Sequence, residues 1–222
     1  MVRHMNWTDQ LALFSTYDVI AVCGLVTSWI VVGWAIELSP RGFPSVSCLM
    51  ADFRREWMVQ MVTRQPRIFD AQIISSLRQG TAFFASTCMI AIGGVLAMIG
   101  NTEQIQMVAS DLTSEEIPSI VWQVKLMVVV LFLTHAFLKF VWSNRLFGYC
   151  AVIMAAVPND ITQPTVYPRA AQAADINVRA AWNFNRGLRA IYYSLGTLAW
   201  LLGPIPLILA TLMVTYIIWQ RE

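Results

Sequence analysis

The residues of this chain best suited to bind an anion are arginines, and their spacing groups them. Arg179, Asn183, Arg186 and Arg189 recur every three or four residues, so a helix turning about 100° per residue sets them on one face. Arg78 and Arg145 each stand at the edge of a long apolar run. A guanidinium presents a planar fork that binds phosphate or carboxylate in bidentate fashion. Arg78, Arg145, Arg179, Asn183, Arg186 and Arg189 are therefore the candidate lipid- or anion-binding set, expected as a ring at one membrane leaflet. Its simpler chemistry is contact with anionic headgroups, about 1 kcal/mol per basic residue near the surface. Its sharper chemistry is a pocket for a ligand bearing phosphate or carboxylate.

A second polar set lies inside the apolar runs. Lys125, His135 and Lys139 are separated by ten and four residues, which places them within about 80° of one another on a helix. Such a stripe faces a bundle interior or a partner rather than lipid. The two lysines stand near the ends of their run and only His135 is deep, where a neutral imidazole bonded to a neighbouring helix is the simpler reading and a proton relay the alternative. Asp18, at the start of the first apolar run, is expected to meet Lys125. A bis-histidine haem would require a second facing histidine, and the only other one is His4. The chain carries no GxGxxG, Walker A, HExxH or GxSxG pattern and no paired carboxylate set. Cys23, Cys48, Cys88 and Cys150 lack metal or disulfide spacing and read as free thiols. No metal or cofactor and no nucleic-acid partner is expected.

The elements that must carry these residues are membrane helices. Of 222 residues, 57% are hydrophobic and 13% charged, against about 25% charged in soluble domains. The apolar residues are segregated into runs long enough for a hydrocarbon core of roughly 30 Å, which takes about 20 residues of helix. The reading is an all-α integral membrane protein with four transmembrane helices, approximately 17–36, 79–101, 119–141 and 190–219, plus interfacial amphipathic helices on the cytoplasmic side. The first run exceeds a signal h-region, has a single arginine as its basic flank, is followed by Glu-Leu-Ser-Pro and is read as an uncleaved span. The second is rich in small residues, among them Gly93, Gly94 and Ala97, and is expected at the bundle centre because small side chains let helices approach closely. Residues 146–157 are too short to cross and suit an interfacial segment or an extension of the third span. The last run is about 46 Å as a straight helix, with a kink expected at Pro204 and Pro206.

Basic residues set the orientation. Residues 37–78 hold six arginines and 142–189 hold five, whereas the outer loop 102–118 has none and the termini one each. Both long loops are expected in the cytoplasm and both termini outside. In the first loop, Val46, Leu49, Met50, Phe53, Trp57, Met61 and Val62 recur with helical period opposite Asp52, Arg54, Arg55, Glu56 and Gln60, describing an amphipathic helix that Pro66 ends. A further helix is expected to start near Asp70 as its N-cap and to run into the second span. In the other loop, Pro158, Pro164 and Pro168 keep the chain extended before a helix from Ala170.

Three segments carry a resemblance. Ser76-Leu77-Arg78-Gln79, FVWSNR (residues 140–145) and NRGLRAIYY (residues 185–193) are similar to the bacterial and plant membrane-protein family known as domain of unknown function 599, over roughly residues 17–219. The resemblance implies a four-span membrane protein and supplies no activity and no catalytic residue. The functional expectation is a non-enzymatic, multi-pass protein of the bacterial inner membrane, a packing or accessory protein that binds anionic lipid through the cytoplasmic arginines. It would assemble with itself or within a larger membrane complex. The alternative is an oligomeric anion transporter or channel lined by Lys125, His135 and the Pro204 and Pro206 break.

Overall fold

In the computed structural model, which describes residues 13–38, 45–101 and 118–222, all regular structure among the described residues is helical. The helices are α1 (Thr16–Glu37), α2 (Val46–Thr63), α3 (Ile68–Gly100), α4 (Ser119–Ala155), α5 (Val166–Thr197) and α6 (Pro204–Arg221), with a 3₁₀ segment at Leu198–Leu202. Four of them, α1, α3, α4 and α6, are long and apolar enough to cross a membrane. The chain is thus a multi-pass membrane protein. At 1.5 Å per residue α3 and α4 measure about 50 and 55 Å, well beyond a hydrocarbon core. Residues 146–155 continue α4 without interruption.

Local chemistry starts these helices. Ser15 and Asp18 form a capping box at α1: the Ser15 amide donates to Asp18 at 3.0 Å, and the Asp18 amide to the Ser15 hydroxyl at 3.2 Å. Ser45 caps α2 by accepting from the Cys48 amide, and its hydroxyl donates to the Ile36 carbonyl at 2.9 Å, tying α2 to the end of α1. Asp70 is not a cap. Helix α3 begins two residues earlier, and the Asp70 carboxylate is wholly buried as an acceptor for Trp57 Nε1 (2.7 Å) and Arg64.

The chain divides into two units. One combines α2 with residues 33–38, 68–88, 135–155 and 166–189 and the C-terminal pair Arg221 and Glu222. Its core holds Met58, Met61 and Val62 of α2, Ile74 of α3, Phe147, Cys150 and Met154 of α4, and Ala170, Ala173 and Ala174 of α5. Alanines on α5 let it lie close to α4, as expected where a backbone must approach. Of the apolar set expected to face one way on α2, Met61 and Val62 are buried, whereas Val46, Leu49, Met50 and Phe53 are exposed. Phe84, Phe140 and Phe184 form an aromatic cluster with centroids 5.3–5.6 Å apart. Gly187 is required beside it, because a Cβ there would stand 2.8 Å from two Phe140 ring carbons. Phe140 is fully buried and cannot yield. Gly187→Ala is therefore expected to lower stability by about 1–3 kcal/mol through overpacking despite alanine's better helix propensity. An unchanged melting temperature would show that the ring has room to move.

The other unit holds residues 13–32, 89–101, 118–134 and 190–220. Here the expectation of one span over residues 190–219 with a kink is overturned. Helix α5 ends at Thr197, Gly203 adopts φ +127°, and α6 starts at Pro204. Proline at a first helical position forfeits no hydrogen bond. Chain direction then reverses. Tyr193 of α5 faces Thr215 of α6 with hydroxyl oxygens 3.1 Å apart, and a Cβ on Gly196 would meet Val214 at 3.2 Å. Ser28 of α1 joins the same hydroxyl cluster, 2.9 Å from Tyr193 and 2.5 Å from Thr215. The apolar run is an antiparallel hairpin glued by hydroxyls, a cross-helix contact suited to a medium without water.

Helix α3 is not central. Its most apolar stretch is 11% buried, against 44% for α4, and nothing lies within 4 Å of a Cβ added at Gly93 or Gly94. Among the described residues, nothing covers the small-residue face at Gly93 and Gly94.

Candidate functional site

The arginine ring does not form as one feature. Arg186 and Arg189, one helical turn apart on α5, both close on Glu37 at the end of α1. Arg186 is bidentate, with Nε 2.8 Å from Oε1 and Nη2 2.5 Å from Oε2, and Arg189 Nη2 reaches Oε1 at 2.6 Å. The Arg189 side chain is 7% exposed and Glu37 18%. Hydrogen bonding to Glu37 holds the Arg186 guanidinium more firmly protonated than usual. Burial pulls the Arg189 value down, and the Glu37 charge opposes that shift. These two cations are thus already engaged within the chain. Lys139 lies within electrostatic reach of Arg186 and Glu37, and half-buried His135 feels Lys139 and Arg186.

The remaining members are dispersed. Arg145 is exposed and lies over the rings of Trp142 (6.0 Å) and Tyr149 (5.5 Å) on its own helix. Arg179 is exposed, and its carbonyl accepts from buried Asn183 at 2.8 Å. In the other unit, Asp18 and Lys125 meet through a shared residue rather than as an ion pair. Trp200 Nε1 donates to Asp18 Oδ1 at 2.7 Å, while the Lys125 ammonium lies 5.7 Å from the Trp200 ring and 5.5 Å from that of Trp122. Lys125 is 6% exposed, covered by indole rather than lining an open route.

Arg78 has a different setting. Between α3 and α4, with Met61 of α2 in its wall, lies a cavity of about 620 Å³. Its polar lining is Arg67, Ser75, Arg78, Gln79, Asn144 and Asn159, and Ile74, Ala82, Ala151 and Met154 supply apolar walls. Ala71, Ile74, Ser75, Arg78 and Ala82 recur at helical spacing, so one face of α3 forms one wall. Asn144 Nδ2 donates to the Arg78 carbonyl at 3.1 Å and holds the helices in register. Gly148 keeps space beside the guanidinium, whose Cζ is 3.9 Å from where a Cβ would stand. Arg67 is pinned by three carbonyls, of Val157 (2.7 Å), Val62 (3.2 Å) and Pro158 (3.2 Å). Arg78 is exposed, and no carboxylate among the described residues lies within ion-pairing distance of it. Arg67 thus contributes fixed positive charge and Arg78 an available fork.

The model of the family described as "Protein of unknown function, DUF599" matches residues 20–222. The chain belongs to this family. No curated protein and no solved structure matches it. In this DUF599 chain the three motifs converge on the features just described. The first puts Arg78 and Gln79 on the cavity and the second puts Asn144 there, with its neighbour Ser143 donating to the Ala180 carbonyl at 2.7 Å. The third supplies Arg186 and Arg189 to Glu37, Gly187 to the phenylalanine cluster and Tyr193 to the hydroxyl cluster.

Several residues of this DUF599 chain escaped the sequence reading. Glu37 is one; its signal was a carboxylate ending a span on the arginine-rich side. Arg64 and Trp57 on Asp70 are others. Arg54 is the last: its Nη1 donates to Asn177 Oδ1, and burial lowers its pKa. Among the described residues no group of three or more His, Cys, Asp or Glu side chains is placed to hold a metal ion.

Proposed function

We propose that this chain is a non-enzymatic accessory protein of the bacterial inner membrane, with its arginine-rich segments cytoplasmic, that binds the headgroup of an anionic lipid in the cavity between α3 and α4. The observation that carries the reading is the pairing of Arg78, exposed and without a carboxylate, with apolar walls from Ile74, Ala82 and Met154 in one 620 Å³ space. A cationic, hydrogen-bonding lining beside an apolar one fits an amphiphile, and its volume falls within the usual range of ligand sites. The open small-residue face of α3 supports assembly with a second copy or a larger complex.

The test is the lipid carried through purification in mild detergent. Arg78→Gln removes a charge worth about 1 kcal/mol at a membrane surface, so phosphatidylglycerol retention seen by native mass spectrometry is expected to fall about fivefold. Arg179→Gln, exposed and outside the cavity lining, is expected to retain it. Equal retention in Arg78→Gln and the parent would overturn the site.

A further inference from the structure

The arginines of α2 and its neighbours differ in how their charge is answered. Arg64 has Asp70, Arg186 and Arg189 have Glu37, and Arg67 has three carbonyls. Arg54 has one neutral amide. Its Nη1 donates to Asn177 Oδ1, its Nε is buried without an acceptor, and it lies 6.0 Å from the Phe147 ring. No carboxylate among the described residues reaches it as an ion pair. Asn177 is itself fully buried, with Nδ2 turned to Cys150 Sγ, so its oxygen is held toward Arg54. Arg54 is partly buried, and a cation partly withdrawn from water with a single neutral partner is better stabilised when an anion completes it.

Arg54 lines a second cavity, of about 370 Å³, enclosed by α2, α3, α4, α5 and the C-terminal pair. Ser76 and Asn185 add neutral polar groups, and Leu77, Phe147, Val178 and Trp182 add apolar wall. Glu222 also lines it, with both carboxylate oxygens on Ser47 in the first turn of α2, at 3.0 and 3.2 Å. Arg221 lines it as well, so the Arg221 and Glu222 charges offset and leave Arg54 as the net cation, which matches a singly charged ligand better than a doubly charged one. We infer that this cavity binds a monocarboxylate with a short apolar body, its carboxylate on Arg54 and its chain against Leu77, Phe147 and Trp182. The site is separate from the α3 and α4 cavity and does not depend on lipid binding there.

The probe is hexanoate, titrated into the full chain in detergent while thermal unfolding is followed, with hexanol and inorganic phosphate in parallel. A saturable rise in melting temperature is expected with hexanoate and not with the other two. Arg54→Gln is expected to weaken the apparent affinity at least tenfold. Should that variant fail to fold, Ala181→Leu fills the cavity while leaving Arg54 on Asn177, and is expected to abolish the hexanoate response. Arg78→Gln is expected to keep it, which separates this site from the lipid cavity. An oleate arm distinguishes a membrane-borne acid, which would compete with hexanoate, from a soluble one, which would not. Absence of a saturable hexanoate effect, an equal effect of hexanol, or an unchanged response in Ala181→Leu would each overturn the assignment.

Discussion

Glu37→Ala is expected to destabilise the detergent-solubilised protein by about 3 kcal/mol, because removing one member of a buried ion cluster strands the other charge. Almost all of this falls on Arg189, whose side chain is 7% exposed; Arg186 is 39% exposed and water can take up much of its charge. For a chain of this length that loss corresponds to roughly 6–12 °C in melting temperature. Glu37→Gln keeps the shape and one acceptor oxygen but supplies no charge, so it is expected to be destabilising to a lesser degree. The double variant Glu37→Ala with Arg189→Met removes the stranded cation and is expected to recover part of the loss. A melting temperature unchanged by Glu37→Ala would show that the three groups do not meet as described.

A reporter fused after Glu222 is expected on the same side of the membrane as a single cysteine placed at Arg55, an all-or-none outcome. The reason lies in the C-terminal contacts. The Val46 amide donates to the Glu222 carbonyl at 2.9 Å, and the Glu222 carboxylate receives the Ser47 amide and hydroxyl. Asn185 reaches the same Ser47 hydroxyl at 2.9 Å, so residues near 185 and 222 lie together as a hairpin requires. A single pass over residues 190–219 would instead carry the end of the chain to the far leaflet. Under the proposal that the arginine-rich segments are cytoplasmic, the hairpin makes a cytoplasmic C-terminus the expected result in place of an outer one. Reactivity of the two probes from opposite sides would remove the hairpin and with it the cavity at Arg54, which the returning residues Arg221 and Glu222 help to enclose.

How much of this was legible differs from residue to residue. The turn at Pro204 had a local signal, since proline cannot donate a backbone hydrogen bond and a glycine precedes it. A kink and a full reversal share that signal. What selects reversal is Gly196, whose missing side chain admits Val214, and the hydroxyls of Ser28, Tyr193 and Thr215, drawn from three distant stretches of chain. Similarly, the small residues of α3 announced a face able to pack, but nothing local states whether the same chain supplies the partner. Asp70 looked like a cap because acidic residues near a helix start usually are, and only the arrival of Trp57 and Arg64 makes it a buried acceptor.

By itself, the sequence determined the class of protein, the apolar stretches long enough to span and the shared helix face of Arg179, Asn183, Arg186 and Arg189, because each follows from run length or a 3.6-residue period within one segment. Tertiary structure alone decided which arginines are neutralised by Glu37, which line cavities and where the chain turns back. Those outcomes depend on how helices rotate and approach one another, and pairings such as Glu37 with Arg186, 149 residues apart, have no periodicity to betray them.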